Sequence, residues 1–326
     1  ISVDSQDQNI GISGTMSGIT QNIDLDFKNV NLNAISPPID SLRLDGKLNG
    51  RISLQKKNEK YIPLADLTIN YFSINSDYYG DFTMVAEGNE NLSNYTFDAA
   101  LVNSDLIAAE IKGNVDFEPK TPTILASVQL NKFRLNAFSP LGGIVLSDLR
   151  GIASGNVNVF GNLYNPVFDG EILLHDAGLK FPYLNVYYNF AEYSNILLYD
   201  QTFDFQTIGI TDTKMGTQGL IGGKIKHENF EKWFMDIFIS SDNLLVLDTE
   251  EHEDALYYGT GLIEGETTIY GPVDNLFIDV QATTNKGTQF IIPLSDVSTV
   301  GESNLIHFVN PYEEELEDEY KKLVMM

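Results

Sequence analysis

Apolar and polar residues alternate along most of this chain with a period of two. Ile107, Ala109, Ile111, Gly113, Val115 and Phe117 are interleaved with Ala108, Glu110, Lys112, Asn114 and Asp116. A strand sends successive side chains to opposite faces, so this run predicts a strand with one greasy and one wet side. The same alternation marks Phe82-Met84-Ala86, Tyr95-Phe97-Ala99-Leu101, Val128-Leu130, Met235-Ile237-Ile239 and Leu276-Ile278-Val280. Turn-forming clusters such as Glu87-Gly88-Asn89-Glu90-Asn91 and Asn162-Leu163-Tyr164-Asn165-Pro166 separate the runs. Helical turns are predicted only at Leu32–Ser36 and Leu135–Ser139, each stopping at the proline that follows. Residues 311–326 start at a proline, carry acids early and lysines late, and predict a short acidic helix or a charged linker. The body is predicted to be all-β.

Two stretches are nearly the same hexapeptide. Leu32-Asn33-Ala34-Ile35-Ser36-Pro37 returns as Leu135-Asn136-Ala137-Phe138-Ser139-Pro140. The segments after them also match, with Gly46 and Gly50 in the first answered by Gly151 and Gly155 in the second. A weaker third copy sets Gly265-Glu266-Thr267-Thr268-Ile269-Tyr270-Gly271 against Gly155-Asn156-Val157-Asn158-Val159-Phe160-Gly161. Self-similarity at a roughly fixed period predicts one supersecondary unit reused along an axis. The reading is an elongated, repetitive, antiparallel-rich sheet over residues 1–310, with repeats at about 27–130, 131–243 and 244–300 and the acidic segment 311–326 after them. The opening Ile1-Ser2-Val3-Asp4 reads as a strand entered midway, as in a piece of a longer protein.

The alternation also predicts a facing. Ile111, Val115, Val128, Leu130, Val157, Val159, Ile172, Leu174, Ile237, Ile239, Ile269, Ile278 and Val280 should share one apolar interior. Glu110, Lys112, Asn156, Asn158, Glu171, Asp236 and Asp279 should point outward. Periodicity does not separate a filled core from an unfilled groove, and on periodicity alone the filled core is favoured.

Charge narrows the partners. Lys plus Arg total 20 against 46 Asp plus Glu, a net charge of −26. That sign opposes nucleic acid and flat docking on an anionic leaflet. There is no cysteine, which removes disulfides and thiol chemistry. No apolar run approaches the length of a membrane-spanning helix.

The last third resembles the carboxy-terminal region of TamB proteins, in the form associated with Bacteroidota. The residues that carry the resemblance run from Leu244-Leu245-Val246-Leu247-Asp248-Thr249 through Leu256-Tyr257-Tyr258-Gly259-Thr260-Gly261 and Gly271-Pro272-Val273-Asp274-Asn275-Leu276 to Ala282–Leu294. Upstream, Gly155–Gly161 followed by Asn165-Pro166-Val167-Phe168-Asp169-Gly170 is similar to the repeat element of the wider AsmA-like group. The resemblance covers residues 130–300 and loosens before them. It implies a folded-over sheet, a β-taco, whose concave side is a continuous apolar groove for phospholipid acyl chains. It also implies a periplasmic setting in a Gram-negative bacterium, an inner-membrane anchor and a TamA-like outer-membrane barrel as partner. The anchor and the barrel-contacting segment are expected outside these residues. On this reading the thirteen apolar residues line the lipid groove.

No enzyme signature competes. His175, His227, His252 and His307 lie in no catalytic spacing, and no nucleophile elbow, phosphate loop, dinucleotide fingerprint or zinc-type histidine pair occurs. No cofactor and no metal is expected. Glu250-Glu251-His252-Glu253-Asp254 reads as a solvated loop, because it lacks the glycine-punctuated order of a calcium loop. The aromatic groups Phe181-Pro182-Tyr183, Tyr187-Tyr188 and Trp233 read as core or rim. Three classes stay open: a lipid conduit, an assembly factor for outer-membrane proteins acting by strand-edge pairing, and an extracellular β-solenoid acting on polysaccharide. The hundred-residue period counts against the third, whose rungs are shorter.

Overall fold

The computed structural model describes residues 2–5, 8–17, 20–36, 42–142, 146–229, 232–252 and 257–293; the segment 311–326 and His307 lie outside them. The described chain is one sheet of nineteen strands. In order they are β1 (Ser2–Ser5), β2 (Gln8–Ser17), β3 (Thr20–Asn31), β4 (Leu44–Lys57), β5 (Lys60–Ile74), β6 (Asp77–Gly88), β7 (Asn94–Asn103), β8 (Leu106–Asp116), β9 (Thr123–Arg134), β10 (Ser147–Asn162) and β11 (Asn165–Phe181). They continue as β12 (Val186–Phe190), β13 (Ser194–Asp200), β14 (Thr202–Asp212), β15 (Gln218–Glu228), β16 (Lys232–Thr249), β17 (Tyr258–Pro272), β18 (Phe277–Thr284) and β19 (Gln289–Ile291). All the pairings are antiparallel, and consecutive strands pair with each other except at β12–β13 and β18–β19. The pair β12 and β13 both sit between β11 and β14, as two halves of one interrupted strand. The pair β18 and β19 line β17 in the same way.

A single sheet has no second layer, so it can bury a face only by folding on itself. The register shows where it folds. The ladders slip between Phe27 and Val30, between Ile69 and Phe72, between Ala153 and Gly155, between Asp204 and Gln206, and between Ser241 and Leu244. Each slip is a bulge, which bends its strand and frees a backbone N–H. Polar side chains beside the bulges take up those donors. Asn49 Oδ1 accepts from Asn29 N, Asp81 Oδ1 from Tyr71 N, Ser154 Oγ from Lys132 N, Asp204 Oδ1 from Gln206 N and Ser241 Oγ from Asn243 N, all at 2.8–2.9 Å. Asn29, Tyr71, Lys132 and Gln206 hold φ values of 48–56° without being glycine. The bulges follow one another across the pairings as a crease that divides each long strand into a longer and a shorter leg.

Beyond the crease, on the short-leg side, the sheet is fastened twice in the same way. Tyr79 Oη donates to Arg134 O at 2.9 Å and Asn75 Nδ2 to Ala137 O at 2.7 Å, which carries the start of β6 over the β7–β8 hairpin to the end of β9. Tyr188 Oη donates to Leu245 O and Asn185 Nδ2 to Asp248 O, both at 2.7 Å, which carries β12 over the β14–β15 hairpin to β16. The two fastenings lie about one sequence period apart. The β14–β15 hairpin is itself pinned by Asp212, buried at 2% exposure. Its carboxylate accepts from the backbone N–H groups of Lys214, Met215 and Thr217 and from the Thr217 hydroxyl. Burial alone would raise its pKa, yet these bonds together hold it below the usual carboxylate value.

The helical turns appear as 3₁₀ segments at Leu32–Ala34 and Asn136–Gly142. The second does not stop at Pro140 but runs through it. Pro140 has no N–H to give the carbonyl of Ala137, and that carbonyl accepts from Asn75 Nδ2 at 2.7 Å instead. The repeated glycines occupy equivalent places. At Gly50, Gly155 and Gly265, φ is +123°, +155° and +145°, and an added Cβ would lie 2.1–2.3 Å from the carbonyl oxygen of Asp66, Glu171 and Gln281 respectively. No other residue fits where neighbouring backbone approaches so closely.

Candidate functional site: the inner face of the folded sheet

Residues directly opposite in an antiparallel ladder share a face, so the pairing register places each apolar residue singled out above. One row runs Ala99, Ile111, Val128, Val157, Gly170 and Leu198. A parallel row runs Ala109, Leu130, Gly155, Ile172 and Ile196, with Leu174 two positions further along β11. Val115 lies opposite Ile124, and Val159 lies between Ala126 and Phe168. Leu198 faces Phe203, which leads through Ile225 to Met235. From there Ile237, Ile269 and Ile278 are consecutive partners, and Ile239 connects through Thr267 to Val280. All thirteen residues stand on one face. On the other, Glu110 is in register with Gln129, Asn156 and Glu171, and Lys112 with Ser127 and Asn158. Asp236 is opposite Tyr270, and Asp279 opposite Thr268.

Burial divides the thirteen. Val157, Leu174, Ile237 and Ile269 are at most 6% exposed and belong to a core of twenty buried residues drawn from β10 to β17. Ile111, Val115, Val128, Leu130, Val159, Ile172 and Ile239 are half-buried. Ile278 and Val280, on β18, are 62% and 55% exposed. The inner face over β2–β9 is therefore open to solvent to a degree that the face over β10–β17 is not. Its buried cluster has six members, set around the first fastening, while inner-face Ile12, Ile23 and Ile52 are 39–53% exposed. The same sheet is a filled core in its later strands and an open apolar trough in its earlier ones.

The outer face is not uniformly wet. Leu125 pairs with Phe160, and Tyr270 stacks on Phe277 at 5.5 Å, all exposed. Exposed ion pairs such as Arg51–Asp26 at 2.6 Å and Lys60–Glu90 at 2.9 Å decorate this surface, where each adds little to stability.

Of the candidate chemistry, Glu250, Glu251 and His252 are exposed and Glu253 and Asp254 lie outside the described residues. His175 sits on the outer face between two carboxylates, with Nδ1 2.5 Å from Glu192 and Nε2 3.1 Å from Asp176. One ligand atom from each of the three lies within 4.8 Å of the others, close enough to hold a cation, although exposed acidic groups of this kind are common without one. Phe181 and Tyr188 are core, while Tyr183 and Tyr187 are exposed. Asn75, Tyr79, Asn185 and Tyr188 were not singled out from sequence as fasteners. The signal was an asparagine shortly before a tyrosine, recurring at the period of the glycines.

Residues 206–324 match the family model described as the TamB C-terminal domain. Over those residues the chain is similar to TamB proteins. No curated protein and no solved structure matches it. The TamB match begins within β14 and takes in the later strands of the filled part of the sheet, from there to β17. It connects the chain with the translocation and assembly module and outer-membrane biogenesis, and with a family that bridges the periplasm and has a TamA-like outer-membrane partner. Among the described residues no helix is long and apolar enough to cross a membrane.

Proposed function

We propose that the inner face is a conduit for phospholipid acyl chains, one length of a bridge between the inner and outer membranes of a Gram-negative cell. The observation that carries this reading is the uninterrupted apolar row on one face, left half-open over β2–β9. Each methylene moved from water onto such a wall gains up to about 0.8 kcal/mol. A wall of side chains without hydrogen-bonding groups holds a tail without fixing it in place, as transport requires. The headgroup would stay in water at the open margin. The three glycine-marked repeats would be successive lengths of the same trough. The thirteen inner-face residues are its lining, with Ile111, Val115, Val128 and Leu130 in the part accessible to lipid. The bulk of the reading needs no catalytic group.

A second reading, pairing with outer-membrane polypeptides, is favoured by β18, whose eight residues are all exposed and whose edge could accept another strand. Native mass spectrometry of the chain after incubation with phosphatidylethanolamine vesicles separates the two. Bound phospholipid supports the conduit. Co-purified polypeptide with no lipid supports strand pairing and rejects the conduit.

A further inference from the structure

The long-leg margin of the inner face changes character between β9 and β11. Four rings from four strands meet there: Phe168 of β11, Phe203 of β14, His227 of β15 and Trp233 of β16. Their centroids lie 5.8 Å apart for Phe168 and His227, 5.7 Å for Phe203 and His227, and 5.1 Å for His227 and Trp233. Phe203 and Trp233 stack at 6.3 Å. The imidazole is only 3% exposed. One glutamine ties the strand ends together above the rings. Gln201 donates to Asn165 Oδ1 and to Pro166 O, accepts from Asn229 N through its side chain, and accepts from His227 N through its carbonyl. Directly below the rings, Leu198, Met235 and Ile237 are 3–8% exposed, whereas Ile111 and Val128 in the same apolar rows are half-buried.

We infer that this aromatic cluster is a seal: it closes the open margin of the trough over β11–β16, so that acyl chains have access to β2–β9 and reach the later strands only when the rings part. The inference rests on the conduit reading and specifies its regulation. Closing the margin with aromatic side chains excludes water from the face beneath, and a headgroup has no aqueous margin to ride along there. Burial holds the His227 pKa down to about 4, so the imidazole is neutral at physiological pH and the cluster carries no charge that would draw water in.

The test places a photo-crosslinking phenylalanine analogue at Ile111 or at Ile239, both half-buried inner-face positions, and exposes each protein to phosphatidylethanolamine vesicles. The expected result is lipid adducts at Ile111 and none at Ile239, with Trp233→Ala raising adducts at Ile239 several-fold. Phe203→Leu, which keeps an apolar ladder position, repeats the measurement should Trp233→Ala lower the melting temperature. Adducts at Ile239 in the unaltered chain equal to those at Ile111 would overturn the seal. So would a folded Trp233→Ala or Phe203→Leu protein in which Ile239 stays silent. Absence of adducts at both positions would instead reject the conduit itself, so the two failures are told apart.

Discussion

Ile111 and Ile237 occupy the same kind of ladder position, and replacing each with aspartate should give opposite outcomes. Ile237 is 3% exposed, flanked by Gly223 and Ile269. A carboxylate there has no water and no donor. It must be protonated to remain inside, and holding an acid of ordinary pKa about 3.9 protonated at neutral pH costs about 4 kcal/mol. Loss of the buried isoleucine adds about 2–3 kcal/mol. The sum is on the order of the whole stability of an ordinary domain, so Ile237→Asp should unfold β10–β17. Ile111 is half-buried, with Ala99 and Val128 as its neighbours. There the carboxylate can turn into water that already wets the trough, and the cost should stay near about 1–2 kcal/mol, mostly lost apolar contact. Far-ultraviolet circular dichroism melts with limited proteolysis measure both. Ile237→Asp should lose the later strands to protease, and Ile111→Asp should melt within several degrees of the parent while binding less lipid. Equal destabilisation of the two would refute the division into an open and a filled stretch.

Three further outcomes follow from individual contacts. Tyr188→Phe leaves the carbonyl of Leu245 without its donor at a buried site and should cost about 1–3 kcal/mol by denaturant titration, where an unchanged midpoint would remove the fastening as a stabilising contact. Gly155→Ala would place a Cβ 2.1 Å from the carbonyl oxygen of Glu171 and should lower the melting temperature more than Gly216→Ala, where nothing lies within 4 Å; equal losses would mean that close backbone approach is not what requires glycine at 155. Because the folded-state pKa of His227 is depressed from 6.5 to about 4, folding favours the neutral ring. Its contribution is fully present above pH 6.5 and is lost as pH falls towards 4, up to about 3 kcal/mol. Melting midpoints from pH 7 to 4 should show that loss, and His227→Phe should flatten it.

Alternation made the strands legible, because a side-chain period of two is local and needs nothing from the rest of the fold. The facing was legible for the same reason: once Val157 and Asn156 are assigned to opposite sides, the ladder carries the assignment to Ile172 and Glu171. The crease was not legible. It is built at Asn29, Tyr71, Lys132 and Gln206, which hold left-handed backbone without being glycine, and its caps come from Asn49, Asp81, Ser154 and Asp204, ordinary polar residues in any strand pattern. Nor was the difference between Ile111 and Ile237. Both read as inner-face isoleucines; how deeply each is buried depends on how far two legs of the sheet approach, a distance no window of sequence contains.

What sets that approach is visible in the size of the inner-face side chains. The two fastenings are alike, so the topology that folds the sheet is the same in both halves. Over the earlier strands one inner row reads Ala65, Ala86, Phe97, Gly113 and Ala126, and four of its five members are alanine or glycine. Over the later strands the corresponding face offers Leu198, Phe203, Ile225, Met235 and Ile237. Large side chains from both legs interdigitate and expel water, at the density of a protein interior. Alanine and glycine leave space between the walls. An all-β sheet without a second layer has to draw its stability from somewhere, and here the filled half and the fastened short legs supply it. The earlier strands are thereby free to keep an apolar face uncovered, which a self-standing domain would have to bury and which a conduit must leave available for its cargo.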